Sequence, residues 1–105
     1  MKYGLSENSI KVIHAVLAQN PNVETAVLYG SRAKGNYREG SDIDLALTGD
    51  ELDLSQMLRI AAMLDNLMIP YKVDVALLHQ INNAELKDHI RRRGVVSYKK
   101  IESVQ

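Results

Sequence analysis

Residues 28–47 read LYGSRAKGNYREGSDIDLAL, and this stretch decides the fold. It starts at the end of one apolar run, crosses a polar segment with three glycines, and enters a second apolar run. Asp42 and Asp44 stand one residue apart where this second run begins. Charged groups in a strand are costly to bury unless something compensates them, so the two acids require an explanation.

The acidic residues predict a metal site. Successive side chains of a strand point to opposite faces, so Asp42 and Asp44 share one face of the predicted strand 41–49. Asp74 is likewise a single acid within the apolar run 71–78, and three carboxylates converge if the two strands are neighbours. Mg²⁺ prefers oxygen ligands and relieves their mutual repulsion, so the three together predict a Mg²⁺ site open to phosphate. The simpler interpretation of the pair alone is a turn cap followed by a solvated acid on an edge strand.

The glycine and serine before the acids predict a phosphate-binding loop. Gly30 ends the first apolar run and lets a ligand approach the backbone, while Ser31 offers a hydroxyl and an N–H. Arg32 and Lys34 supply positive charge for phosphate oxygens. A plain strand-to-helix turn is the alternative. The segment is not a P-loop, because Asn and Tyr at 36–37 stand where Lys and Ser or Thr are required.

Apolar periodicity along the chain predicts the order α-β-short α-β-α-β-α with a closing strand. This is a small α/β or α+β sandwich in which helices cover a sheet of three to four strands. Ser6 is the predicted cap of the first helix, and Asn82 with Glu85 resembles a capping box for the last. The predicted apolar stripe of the third helix consists of Leu54, Met57, Leu58, Ala61, Leu64 and Met68.

Length and composition narrow the class of protein. The 105 residues predict a single domain, 1–105, and 13 basic against 13 acidic residues give no electrostatic footprint for nucleic acid. Nucleic acid is therefore not expected as the direct substrate, and no apolar stretch approaches the length of a membrane span. The sequence has no Cys, which rules out disulfides and thiolate metal sites and predicts a cytoplasmic protein.

The spacing of these motifs resembles the nucleotidyltransferase superfamily of DNA polymerase β. The shared features are Gly30-Ser31, ten intervening residues, the pair Asp42 and Asp44, and Asp74 on a later strand. The resemblance is clear over residues 23–78, and the short chain looks most like the minimal nucleotidyltransferases. Many of these are encoded beside a helical HEPN-domain partner. Lys34 departs from the Arg that many relatives carry, although Lys still contacts phosphate as a point charge.

The resemblance implies a fold, a reaction and a partner. It implies the polymerase β-like fold, with Asp42 and Asp44 binding two Mg²⁺ ions and Asp74 ligating the catalytic ion and helping to deprotonate an acceptor hydroxyl. It implies that Gly30 and Ser31 hold the β- and γ-phosphates of ATP or another nucleoside triphosphate. In members of this group AMP is transferred to a tyrosine of a toxic HEPN partner, which silences the toxin.

Two alternatives to a protein-modifying enzyme remain at this point. One is a nucleotide-binding subunit without catalytic activity in a two-protein complex, and the other is a small-molecule nucleotidyltransferase. Larger relatives carry a further domain for the acceptor, and 105 residues leave no room for one. The expectation is therefore that a second protein completes the site.

Overall fold

A computed structural model describes residues 3–101 of the chain. Within these residues the elements are α1 (Glu7–Ala18), β1 (Thr25–Tyr29), α2 (Ser31–Lys34), β2 (Ile43–Thr48), α3 (Leu54–Asp65), β3 (Val73–Leu77), a one-turn 3-10 helix (Leu78–Gln80), α4 (Ala84–Arg93) and β4 (Val95–Lys99). The predicted order is confirmed, including the short α2 and the closing strand.

The strands form one mixed sheet in the order β3-β2-β1-β4. Strand β1 is antiparallel to β2 and β4, whereas β2 and β3 are parallel. A parallel pair needs a crossover connection, and α3 supplies it between β2 and β3. The predicted α/β class, with helices flanking a sheet of up to four strands, is confirmed.

One face of the sheet forms the hydrophobic core with α1 and α3. The helices contribute Ile13, Leu17 and Ile60 among others. The buried sheet residues in this cluster are Ala26, Leu28, Ile43, Leu45, Leu47, Val73 and Leu77. These residues alternate along each strand, and Val75 of β3 packs against the same cluster. The remaining side chains of β1, β2 and β3 therefore point to the opposite face, which we call the second face.

Helix α4 packs against the second face beside β1. A Cβ added to Gly94 would lie 2.7 Å from Cγ1 of Val27, so only glycine allows this close approach at the end of α4. Ile90, one turn earlier, is 6% exposed. The end of α4 thus packs against the middle of β1. No helix in the described part of the chain combines the length and hydrophobicity needed to cross a membrane.

The observed N-cap of α1 is the predicted residue, whereas that of α4 is not. Ser6 caps α1 as predicted, because its Oγ accepts a hydrogen bond from the Ser9 amide at 3.1 Å. The cap of α4 is Asn83 rather than Asn82, and its Oδ1 accepts from the Leu86 amide at 3.0 Å. Both adjacent asparagines have the chemistry of a cap, so the sequence did not distinguish them.

The predicted apolar stripe of α3 is partly wrong. Ile60 and Leu64 are buried, but Leu54 and Leu58 are half exposed, and Met68 lies beyond the helix and is 99% exposed. The helix carries apolar residues at two overlapping sets of i, i+3 and i+4 positions. Packing against β3 and α1 selects the set that contains Ile60, a choice that helical periodicity alone leaves open.

Two alanine variants test which face of α3 is buried. We expect Ile60→Ala to lower the free energy of unfolding by about 2–5 kcal/mol, because it leaves a cavity in the core. Leu58→Ala, on the half-exposed side, should change it by less than about 0.5 kcal/mol. Urea denaturation followed by circular dichroism measures both. A larger loss for Leu58→Ala than for Ile60→Ala would mean that α3 packs through the face predicted from the sequence.

Candidate active site

The Gly-Ser loop, residues 30–31, connects β1 to α2 and lies against Asp44 of β2. Gly30 has φ +77°, in the region that favours glycine, and Ser31 is the first residue of α2. A Cβ on Gly30 would collide with the carboxylate of Asp44. Glycine is therefore needed both for the backbone conformation and for the approach of this acid, and the structure brings the loop and Asp44 together.

The acids lie at the end of the sheet where β1 finishes and where β2 and β3 begin. Asp44 is in register with Tyr29 of β1 on one side and with Asp74 of β3 on the other. Side chains in register on neighbouring strands lie on the same face. Asp42 immediately precedes β2 and is exposed. The strand neighbourhood on which the predicted acidic cluster depended is therefore present.

The charges of these groups act on one another. Burial raises the pKa of Asp44 above its ordinary value, the negative charges of Asp74 and Asp42 raise it further, and His89 partly opposes the shift. Burial also raises the pKa of the Tyr29 hydroxyl, with smaller contributions from Asp44 and Asp74. Asp44 is thus a half-buried carboxylate near two other negative charges, an arrangement that favours a cation at this position.

The donor chemistry at this position fits Mg²⁺, although the side chains do not form a closed ligand set. Hard divalent cations take carboxylate oxygens, and Asp42, Asp44 and Asp74 offer only these. Across residues 3–101 no three acidic or histidine side chains are arranged to hold a metal ion together. Asp74 instead lies 3.8 Å from Nζ of Lys72, an ion pair with both side chains well exposed. This pair engages one carboxylate oxygen of Asp74 and leaves the other oxygen available to a cation.

Lys34 ends α2 at the rim of an open cleft of about 410 Å³. The other residues around this cleft are Asn36, Glu85, Asp88, His89, Arg92 and Arg93. Lys34 is exposed and thus accessible to a ligand held by the loop. A larger cleft, of about 470 Å³, lies around Thr25 and Asp50 at the opposite end of the strands, away from the predicted site residues.

Arg32 is placed differently from Lys34. Its side chain is 2% exposed, and the guanidinium donates to the main-chain carbonyls of Ser41 and Tyr3. Its donors are directed into the protein. This placement supports a structural role for Arg32 over the phosphate contact that the sequence suggested.

His89 is a site residue that the sequence analysis did not identify. Its Nε2 accepts a hydrogen bond from the Gly30 amide at 2.9 Å. The ring also meets Tyr29 edge-on, with 6.3 Å between centroids. His89 lies 59 residues after Gly30 on a polar helix, so no local pattern links the two. Because the Gly30 amide already donates to His89, Ser31 is the residue of the Gly30-Ser31 pair that can still donate to a phosphate.

Comparisons with known proteins identify the family. The family described as "Polymerase beta, Nucleotidyltransferase" matches residues 11–103, so the chain belongs to this family. A comparison with curated proteins finds no match. The predicted family and the predicted class of enzyme, nucleotidyltransferase, are confirmed.

Several solved structures with a similar fold are toxin–antitoxin complexes. One, crystallised with AMP-PNP, has 26% identity and a TM-score of 0.69, over 91% of this chain and 75% of that one. An MntA–HepT complex has 21% identity and a TM-score of 0.65, over 90% and 74%. A tri-AMPylated Shewanella oneidensis HEPN toxin in complex with an MNT antitoxin has 20% identity and a TM-score of 0.67, over 91% and 74%. Because the last two structures are only 21% and 20% identical to this chain, they show a similar fold and no more.

Replacing Asp44 should stabilise the metal-free protein at neutral pH. Because the folded-state pKa of Asp44 lies above its ordinary value of 3.8, its negative charge costs stability at high pH. That cost disappears as the pH falls through the raised pKa. We expect Asp44→Asn to raise the melting temperature at pH 7 in EDTA, with the gain fading toward pH 3.8.

Asp50→Asn, an exposed acid at the opposite end of β2, is the matched control for the removal of one negative charge. Thermal melts of the three proteins across this pH range provide the measurement. A loss of stability in Asp44→Asn at pH 7 would contradict the repulsion inferred for this site.

Proposed function

We propose that the protein is a Mg²⁺-dependent nucleotidyltransferase that transfers AMP from ATP to a tyrosine hydroxyl of a helical HEPN-domain partner, as an antitoxin. Residues 1–105 serve as one catalytic domain, and the proposed setting is the cytoplasm, as expected for a sequence without Cys. Membership of the nucleotidyltransferase family supports the reaction class.

One observation carries this proposal. Asp44 lies between the Gly30 loop and Asp74, in contact range of the first and in register with the second. A phosphate-binding loop and a group of carboxylates that repel one another thus share one end of the sheet. A nucleoside triphosphate with divalent cations satisfies both, because the cations neutralise the acids and the phosphates together.

The residues divide into phosphate-holding and metal-holding groups. Ser31 donates to the β- and γ-phosphates, and Lys34 adds a positive charge from the rim of the adjacent cleft. Asp42 and Asp44 hold two Mg²⁺ ions, with Asp74 completing the set. When bound, the ions supply positive charge that activates the attacking oxygen and neutralises the leaving group.

The proposed transfer is an in-line substitution at the α-phosphorus. The acceptor hydroxyl oxygen forms a bond to this phosphorus as the bond to the oxygen bridging the β-phosphate breaks. Pyrophosphate leaves with the bonding electrons, and the hydroxyl proton passes to a carboxylate oxygen of Asp74. The Asp74 side chain is 46% exposed, which supports access from a partner protein.

The choice of acceptor is supported by the complexes with the same fold. One contains AMP-PNP, and another contains an AMPylated HEPN toxin. The competing candidate is a nucleotide-binding subunit without catalysis, which the ion pair of Asp74 with Lys72 favours, since it leaves the metal ligands unassembled.

Intact-mass spectrometry of the partner tests the proposal. After incubation with ATP, Mg²⁺ and this chain, the HEPN-domain protein encoded beside it should gain one or more AMP units of mass. Asp74→Asn should abolish the gain while the complex still forms, because it removes a metal ligand and proton acceptor. Asp50→Asn, an exposed acid at the other end of the sheet, should leave it unchanged. An unmodified partner from a complex shown to have formed, with every common nucleotide, would favour the non-catalytic subunit.

Ser31→Ala tests which part of the nucleotide the loop holds. We expect ATP affinity to fall by about 1.5–3 kcal/mol, the value of one hydrogen bond to a charged group, and AMP affinity to change little. Ser55→Ala on the exposed side of α3 is the control. Calorimetric titrations with each nucleotide provide the comparison. If ATP and AMP lose affinity equally, the loop does not face the β- and γ-phosphates.

A further inference from the structure

Arg32 is the largest fully buried side chain in the described part of the protein, and it carries a positive charge. Within residues 3–101 it forms no ion pair with an acid. A buried charge without a counter-ion is strongly unfavourable unless its surroundings supply hydrogen bonds and favourable dipoles. Such an arrangement therefore points to a specific role for Arg32.

Neutral groups compensate the guanidinium. Its Nε and Nη2 both donate to the main-chain oxygen of Ser41, at 3.2 and 2.8 Å, and its Nη1 donates to that of Tyr3, at 2.9 Å. The guanidinium carbon also lies 5.2 Å from the ring centroid of Tyr37 and 4.9 Å from that of Tyr71. Two aromatic faces and three hydrogen bonds thus hold the charge.

These contacts join the three chain segments that carry the proposed site. Arg32 follows Ser31 directly, Ser41 directly precedes Asp42, and Tyr71 lies three residues before Asp74. The turn that presents Ser41 is itself closed, because Ser41 Oγ accepts from the Arg38 amide at 2.8 Å. One buried side chain therefore links the phosphate-holding loop to both acidic strands.

We propose that Arg32 is a positioning residue that fixes the separation between Ser31 and the acids, so that the triphosphate and the divalent cation bind cooperatively. This inference rests on the proposed function, and it replaces a direct phosphate contact by Arg32. Lys keeps the charge but cannot donate two converging hydrogen bonds from a planar fork to one carbonyl, so Arg32→Lys loosens the link without changing the side chains of Ser31 or the acids.

Calorimetric titration of ATP with and without Mg²⁺ tests the positioning role. In wild type we expect Mg²⁺ to raise ATP affinity, and in Arg32→Lys we expect this enhancement to be about tenfold smaller, within the usual range for coupling between sites. Affinity without Mg²⁺ should be unchanged. Arg59→Lys, an exposed arginine on α3, is the matched control and should behave as wild type.

A second readout uses the metal-free protein. The protease GluC cleaves after Glu39, which is exposed in the loop between Arg32 and Ser41. Cleavage there should be faster in Arg32→Lys than in wild type or Arg59→Lys, because the loop opens more often. If Arg32→Lys does not fold, Tyr37→Leu, which removes one of the two rings, should show both effects in smaller measure.

The outcomes separate the inference from the function on which it rests. An unchanged Mg²⁺ enhancement in Arg32→Lys would overturn the positioning role alone. Equal losses of ATP affinity with and without Mg²⁺ would overturn it too, and would indicate direct phosphate contact by Arg32. A wild-type protein whose ATP affinity is indifferent to Mg²⁺ would contradict the proposed function and the positioning role together.

Discussion

The parallel, in-register pairing of β2 with β3 places Asp44 directly beside Asp74, and this pairing of like charges is the constraint that the rest of the site accommodates. Partial burial makes the Asp44 charge costly, and the like charge opposite it on the sheet adds to that cost. Residues arranged against stability in this way are candidates for function. Gly30 allows the arrangement, because any larger residue would occupy the space of the Asp44 carboxylate.

One face of the sheet packs into the core, and the other face carries the candidate site residues. The apolar face, covered by α1 and α3, supplies the core, while the second face carries Asp44, Asp74 and Tyr29. The Gly-Ser loop is held from two sides: Arg32 links α2 to the segment before Asp42, and His89 links α4 to the Gly30 amide. A loop fixed in this way is organised before a ligand binds, which lowers the entropic cost of binding.

The features predictable from the sequence were those with local patterns. Strand alternation placed Asp42 and Asp44 on one face, and the spacing from Gly30 indicated the family. The roles of Arg32 and His89 depend on partners that are distant in the chain, such as Tyr3, or in another element, so local patterns could not reveal them. The buried side of α3 was likewise decided by tertiary packing, since its sequence allowed two faces.

We expect the carboxylates beside the Gly-Ser loop to form the divalent-cation site, and paramagnetic NMR can show where the ion binds. Mn²⁺ added with AMP-PNP broadens the amide signals of residues near the ion. The account predicts that Asp44 and Asp74 broaden first, and that Asp44→Asn abolishes the effect. The cleft around Glu24 and Asp50, at the opposite end of the strands, also contains carboxylates and serves as an internal comparison. Broadening confined to that cleft, or unchanged in Asp44→Asn, would contradict the account.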